Sequence, residues 1–116
     1  MKYENVTISS SDSLSTASGA INDNQLFCGF ETDASWTAAA VSFAELSADG
    51  VTFIPVNFKD LAGEYVTETI QPSTFTPIDI QTFLSCRKLK VRSGTSGTPV
   101  AQTNETTIEL QIIEFN

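Results

Sequence analysis

The amino-acid sequence predicts an all-β protein: a single β-sandwich of jelly-roll-like type with about seven or eight antiparallel strands. Several stretches alternate apolar and polar residues, as around Ile108 and Leu110, and this period of two is typical of strands with one buried face. The stretches recur about every 8–12 residues and are separated by turn residues. A chain of 116 residues, 41% of them hydrophobic, can enclose one core, so we expect one domain over residues 1–116.

The N-terminal part predicts a strand followed by an ordered loop. Residues 3–8 read as the strand, with Val6 and Ile8 on one face. Residues 9–18 are rich in Ser and Thr, and Leu14 is their one large apolar side chain. We therefore expect a surface loop that is ordered because Leu14 packs on the body of the protein.

A second strand is predicted over residues 26–30, after turn residues at 22–24. Strict alternation puts Leu26, Cys28 and Phe30 on one face of this strand and Phe27 on the other.

Residues 33–46 allow two interpretations. A helix is suggested by apolar residues at helical spacing. The residues concerned are Trp36, Ala39, Ala40, Phe43 and Leu46. A strand over residues 38–46 is suggested by alternation and by the turn signal at residues 47–50, which would join it to a strand over residues 51–58. We favour the strand.

The middle of the chain predicts shorter elements. Residues 64–70 are rich in β-branched residues and Tyr and read as a strand. Pro72 and Pro77 flank an extended segment around Phe75, and prolines are tolerated at the edge of a sheet. Residues 79–85 are expected to hold one helical turn.

The last thirty residues carry the clearest pattern. Leu89 and Val91 alternate with basic residues, a loop rich in Gly, Ser and Thr follows, and a closing strand from residue 107 is expected to be central. Across the whole chain, the residues predicted to form the core are Phe30, Phe43, Phe53, Leu89, Val91, Ile108 and Leu110.

Several short motifs occur in an order that resembles small tailed-phage virion proteins. They are Leu14-Ser15, Trp36-Thr37-x-Ala39-x-x-Ser42-Phe43, Ser47-x-Asp49-Gly50, Leu89-x-Val91-Arg92-Ser93-Gly94-Thr95, Pro99-Val100-x-Gln102 and Thr107-Ile108-x-Leu110. The resemblance implies a structural component of the phage particle without an active site. It implies as partners the major capsid protein or other virion subunits, and as location the virion, assembled in the host cytoplasm.

Composition narrows the function classes. The net charge is −8, with fourteen acidic and six basic residues. An acidic surface repels nucleic-acid phosphates and anionic membranes, so we expect neither partner. The first ten residues have no apolar segment of the kind that a signal peptide needs, which favours assembly in the cytosol. A homo-oligomer is expected, since shell proteins commonly sit at symmetry axes.

The sequence predicts no catalytic residues, no cofactor and no metal site. There is no His, which is the commonest general base and metal ligand. The Asp residues do not form a calcium-binding loop. Cys28 and Cys86 are not spaced like zinc ligands. We expect two buried free thiols, with a disulfide between sheets as the alternative.

Two features are candidates for binding. Lys88, Lys90 and Arg92 share one face of a strand and would form a positive stripe that contacts acidic residues of a neighbouring subunit. The other interpretation of this basic stripe is a solvated face or a protected sheet edge. Trp36, the one Trp, is either a core residue or an anchor for a ligand or an interface.

These features leave three functions open. The leading one is a capsid decoration or cement protein that binds and stabilises the outer shell. The alternatives are a carbohydrate-binding module and a β-sandwich protein associated with the tail or its fibres.

Overall fold

The computed structural model describes residues 1–56, 69–78, 87–95 and 97–115. Within these ranges the chain forms strands and no helix, so no described helix could cross a membrane. The strands are β1 (Lys2–Ile8), β2 (Gln25–Thr32), β3 (Val41–Leu46), β4 (Phe53–Pro55), β5 (Phe75–Pro77), β6 (Leu89–Ser93) and β7 (Thr106–Glu114). The all-β prediction is confirmed.

The strands form two antiparallel sheets. One has four strands in the order β1-β7-β2-β5, and the other has three in the order β4-β3-β6. β7 pairs with all of β1 on one side and with β2 on the other, so the closing strand is central, as predicted. β5 is an edge strand, in agreement with the prolines around Phe75. The arrangement is compatible with a β-sandwich, whereas the jelly-roll connectivity stays a prediction.

One hydrophobic core lies between the two sheets. The Phe43 ring of the three-stranded sheet packs edge-on against Phe27 and Phe30 of the four-stranded sheet, with centroids 5.4 and 5.6 Å apart. Such aromatic contacts contribute beyond the area that they bury. The predicted core is confirmed at Phe30, Phe43, Leu89, Val91, Ile108 and Leu110.

Phe53 is the one wrong member of the predicted core. It pairs with Leu46 on β3, whose buried inner residues are Val41 and Phe43, so Leu46 and Phe53 both face away from the core. Its side chain is half-buried on the outer side of the sheet. Strand β4 has only three residues, and its alternation alone could not fix which side is the inner one.

A β-bulge in β2 makes the predicted faces of that strand wrong. Phe27 pairs with Ile112 on β7 while Gly29 pairs with Gln111, so Cys28 is an extra residue. An extra residue breaks the period of two. Phe27 and Phe30 therefore both point into the core, and Leu26 and Cys28 point outward.

The favoured strand within residues 33–46 is confirmed, but it begins later than predicted. β3 starts at Val41, and Ala39 makes an isolated bridge with Ile70. The helical alternative is wrong for these residues. Most of the predicted strand at 64–70, the helical turn at 79–85 and Cys86 lie outside the described residues.

The Ser-rich loop covers one edge of β6. Backbone amides of Ser15 and Ser18 donate to the carbonyls of Val91 and Leu89, each at 2.8 Å. In return the hydroxyl oxygens of Ser15 and Ser18 accept from the amides of Val91 and Leu89, at 2.8 and 3.1 Å. With β3 on its other side, β6 is bonded along both edges. Its basic residues are therefore not needed to protect an open edge, so the solvated face remains as the alternative to an interface stripe.

Two of the motif residues have structural roles. Gly94 adopts a φ of +86°, and a Cβ there would lie 2.5 Å from the Thr98 carbonyl oxygen. Gln102 is fully buried, accepts from the Thr37 amide at 2.6 Å, and donates to the Thr37 carbonyl and the Ser93 hydroxyl at 3.0 and 2.7 Å. Its amide ties three segments together without leaving a polar group unpaired.

Candidate functional site: the two outer sheet faces

The three residues of the basic stripe lie on the outer face of the three-stranded sheet, as the alternation predicted. Leu89 and Val91 are fully buried, so the alternating residues Lys90 and Arg92 must point away from the core. Lys88 comes one residue before β6 and continues the same alternation. In register, Arg92 pairs with Ser42 and Lys90 with Ala44 on β3.

The structure exposes this stripe less than the sequence suggests, because all three side chains are half-buried. The Lys90 ammonium lies 4.7 Å from the centroid of the Phe53 ring, in cation–π geometry. Among the described side-chain atoms that are buried without a hydrogen-bond partner are Arg92 Nη1 and the Oγ of its cross-strand neighbour Ser42. Part of the positive charge is thus held within the protein rather than offered to a neighbour.

The outer face of the four-stranded sheet is acidic, in contrast to the basic stripe. Asn5 on β1 pairs with Glu109 on β7, Glu109 with Glu31 on β2, and Glu31 with Phe75 on β5. We call these four residues the carboxylate row, which crosses every strand of the sheet. Three members of the row help to line a shallow cleft of about 260 Å³, whose lining residues are Asn5, Glu31, Thr32, Asp33, Thr107 and Glu109.

Asp33, the acidic residue next to the row, has hydrogen-bond partners that the side chains of Glu31 and Glu109 lack. Asp33 accepts from the Thr106 hydroxyl at 2.6 Å and from the Thr107 amide at 2.8 Å, which fixes it as a structural link to β7. Within the described part of the chain, the side chains of Glu31 and Glu109 have no hydrogen-bond or ion-pair partner. Two like charges directly opposite each other on neighbouring strands are destabilising. The row therefore carries an uncompensated negative charge.

Aromatic side chains flank the carboxylates. Phe75 is 46% exposed, and its ring lies over Gly29, where a Cβ would come within 2.6 Å of the Phe75 Cζ. Only a residue without a side chain leaves room for the ring in this position. Tyr3 is 56% exposed and belongs to the adjacent row, in register with Gln111. The outer sheet face thus joins exposed aromatic rings to unpaired carboxylates.

Sequence reasoning missed this face. Its members come from four strands that are far apart in the chain, so no local pattern contains them. The one signal available was Gly29 within a strand, which often marks the close approach of another group.

Trp36 is a core residue and offers no ring to a ligand at the surface. It is 2% exposed, and its indole N–H donates to the Ile70 carbonyl at 3.0 Å. The anchor interpretation is therefore not supported by its position, and the core interpretation is.

Cys28 and Asp49, two other groups that could react or bind, are held by hydrogen bonds within the fold. Cys28 is a free thiol whose Sγ donates to the Gln111 carbonyl at 3.3 Å, and burial raises the pKa of this thiol. The Ser47 hydroxyl and the amides of Thr52 and Val51 bond to Asp49 and hold the pKa of its carboxyl well below the usual range. Within the described ranges, no group of acidic, Cys or His side chains could hold a metal ion.

Comparison with known proteins gives no family for this chain: no protein family, curated protein or solved structure matches it. The resemblance to tailed-phage virion proteins stays an interpretation of the sequence motifs.

Proposed function

We propose that this chain is a non-enzymatic structural protein of a tailed-phage virion, and that it decorates or cements the outer surface of the capsid. The order of the sequence motifs carries this proposal. The structure adds one observation in its support: the outer face of the four-stranded sheet carries Glu31 and Glu109 in register, without a counterion in the described part of the chain.

A decorating protein acts by bridging neighbouring subunits of the shell. Its partners are the major capsid protein or other virion subunits, and copies of the chain itself where it forms a homo-oligomer. Each contact needs to be only modest, because a copy already held at one site meets the next at a high effective concentration. An outer face with uncompensated charge suits this role, since complementary charge selects partners and orientation more than it raises affinity.

Counting copies in purified particles tests the proposal. The phage that encodes the chain would be purified, and its proteins quantified by gel densitometry or mass spectrometry. A copy number comparable with that of the major shell subunit is expected of a decoration protein. A handful of copies per particle would contradict it and would favour a tail or fibre component.

A carbohydrate-binding module is the second candidate, and one observation favours it. Tyr3 and Phe75 are exposed on the sheet face that also carries a polar cleft, and sugars bind by stacking on aromatic rings while polar groups bond their hydroxyls. A glycan array on the purified protein tests this function. Signals that disappear in Phe75→Leu would support it, and a blank array would contradict it.

A further inference from the structure

We propose that the outer face of the four-stranded sheet docks an arginine-bearing segment of a partner protein. In this contact, Glu31 and Glu109 pair with guanidinium groups while the Phe75 ring stacks on one of them. The identity of the partner as a virion subunit rests on the proposed function, whereas the chemistry of the docking face does not.

The charge of the row is the first argument. Glu31 and Glu109 are direct cross-strand neighbours, and within the described part of the chain neither has a counterion. A cation bound between them would replace repulsion with attraction at both carboxylates. The whole chain has a net charge of −8, so its general field also attracts a basic segment and repels an acidic one.

The geometry of the row is the second argument. Opposed side chains on neighbouring strands have Cβ atoms about 5 Å apart, so a single planar guanidinium can bridge two carboxylates. Neighbouring strands are about 4.8 Å apart, so the row across four strands spans roughly 14 Å, enough for an extended segment of several residues.

The aromatic ring at the end of the row is the third argument, and it points to arginine in particular. Phe75 is the next residue in register after Glu31, and its ring is held over Gly29 with half of its surface open. Guanidinium groups stack on aromatic faces and pair with carboxylates at the same time, which a compact ammonium does less well.

Other occupants fit this face less well. The basic stripe of a second copy is half-buried, with Lys90 over Phe53 and Arg92 Nη1 enclosed, so it presents little charge to dock. A neutral glycan would leave the repulsion between Glu31 and Glu109 uncompensated.

Peptide binding to the purified protein tests the inference. The probe is a fluorescein-labelled peptide of alternating arginine and glycine, measured by anisotropy, and the control peptide has citrulline in place of arginine. We expect the arginine peptide to bind and the citrulline peptide to bind at least about tenfold more weakly. We also expect binding to weaken as salt is raised, since exposed charges are screened.

Matched variants locate the contact. Glu31→Gln with Glu109→Gln should weaken peptide binding by roughly tenfold or more, since each exposed charge pair contributes up to a factor of about five. Phe75→Leu keeps an apolar contact on Gly29 and should weaken binding by about threefold through loss of stacking. The control is Asp12→Asn with Glu105→Gln, which removes the same charge from two exposed positions elsewhere and should leave binding nearly unchanged.

The inference would be overturned by equal binding of both peptides, or by equal effects of the row variant and the control variant. A glycan-array signal that needs Phe75, in a protein that does not bind the arginine peptide, would also overturn it. Self-association that the row variant abolishes, without peptide binding, would assign the face to a second copy and equally contradict the proposal. Because these measurements use purified protein, their failure is distinct from a failed copy count in particles.

Discussion

The two outer faces of this sandwich differ in how they are built and in how much of their charge they expose. The basic stripe lies on and just before one strand and is dense in sequence, with three of the six basic residues between positions 88 and 92, yet all three side chains are half-buried. The carboxylate row comes from four strands and leaves two carboxylates without a counterion in the described part of the chain. Density of charge along a sequence is therefore a poor guide to the charge that a face offers to partners.

Both faces depend on one shared core, and the largest predicted effect lies there. Phe43→Ala removes the ring that packs against Phe27 and Phe30 of the opposite sheet. We expect a loss of about 3–5 kcal/mol in the free energy of unfolding, measured by urea denaturation. The control is Val51→Ala, at a position that is 79% exposed, with an expected change below about 0.5 kcal/mol. Equal effects of the two variants would mean that the sheets are not held together through Phe43.

The next prediction concerns the enclosed part of the basic stripe. Arg92→Met keeps the apolar stem of the side chain and removes a buried Nη1 that has no hydrogen-bond partner. We expect stability to stay the same or to rise by up to about 2 kcal/mol, because a buried polar group without a partner costs free energy. Chemical denaturation of both proteins measures the difference. A loss above about 1 kcal/mol would show that Arg92 makes a stabilising interaction.

A smaller change of known sign is predicted for the carboxylate row. Glu109→Gln removes one of two like charges in register and should raise stability by about 0.2–1 kcal/mol. The gain should shrink as salt is raised, since screening already weakens the repulsion. Glu105→Gln, on the exposed loop before β7, is the matched control and should change stability little. Destabilisation by Glu109→Gln at low salt would show that the carboxylate has a favourable partner.

The smallest prediction concerns pH and the β3–β4 hairpin at the end of the three-stranded sheet. Folding lowers the pKa of Asp49, so its contribution to stability is present above the unfolded pKa of about 3.9 and is lost as the pH falls through the lower folded value. Asp49→Asn should therefore cause a small drop in melting temperature at pH values above 4, and this drop should become smaller in stronger acid. A difference that grows on acidification would contradict the assigned hydrogen bonds.

Local sequence patterns correctly predicted which residues of β6 and β7 lie in the core and where the tight turn between β3 and β4 occurs. Alternation placed Leu89, Val91 and Leu110 in the core, and the turn at Asp49-Gly50 joined β3 to β4. The bulge at Cys28 was not predictable in this way, because only the pairing of β2 with β7 shows that one residue is extra.

The candidate site was less predictable than the fold. Lys88, Lys90 and Arg92 were found on one face as expected, but their burial depends on the rings and strands packed around them, such as Phe53. The carboxylate row exists only through the registers of three strand pairs, which one sequence does not reveal.

Incorporation into particles tests most directly the central claim that the four-stranded sheet presents the principal docking face. Two variants would be compared in phage assembled on the variant protein alone. One combines Glu31→Gln, Glu109→Gln and Phe75→Leu, and the other changes Lys88, Lys90 and Arg92 to Gln. With both variants folded, we predict that the first is lost from particles and that the second is retained to a greater extent. Normal incorporation of the first variant, together with loss of the second, would contradict the claim and return the contact to the basic stripe.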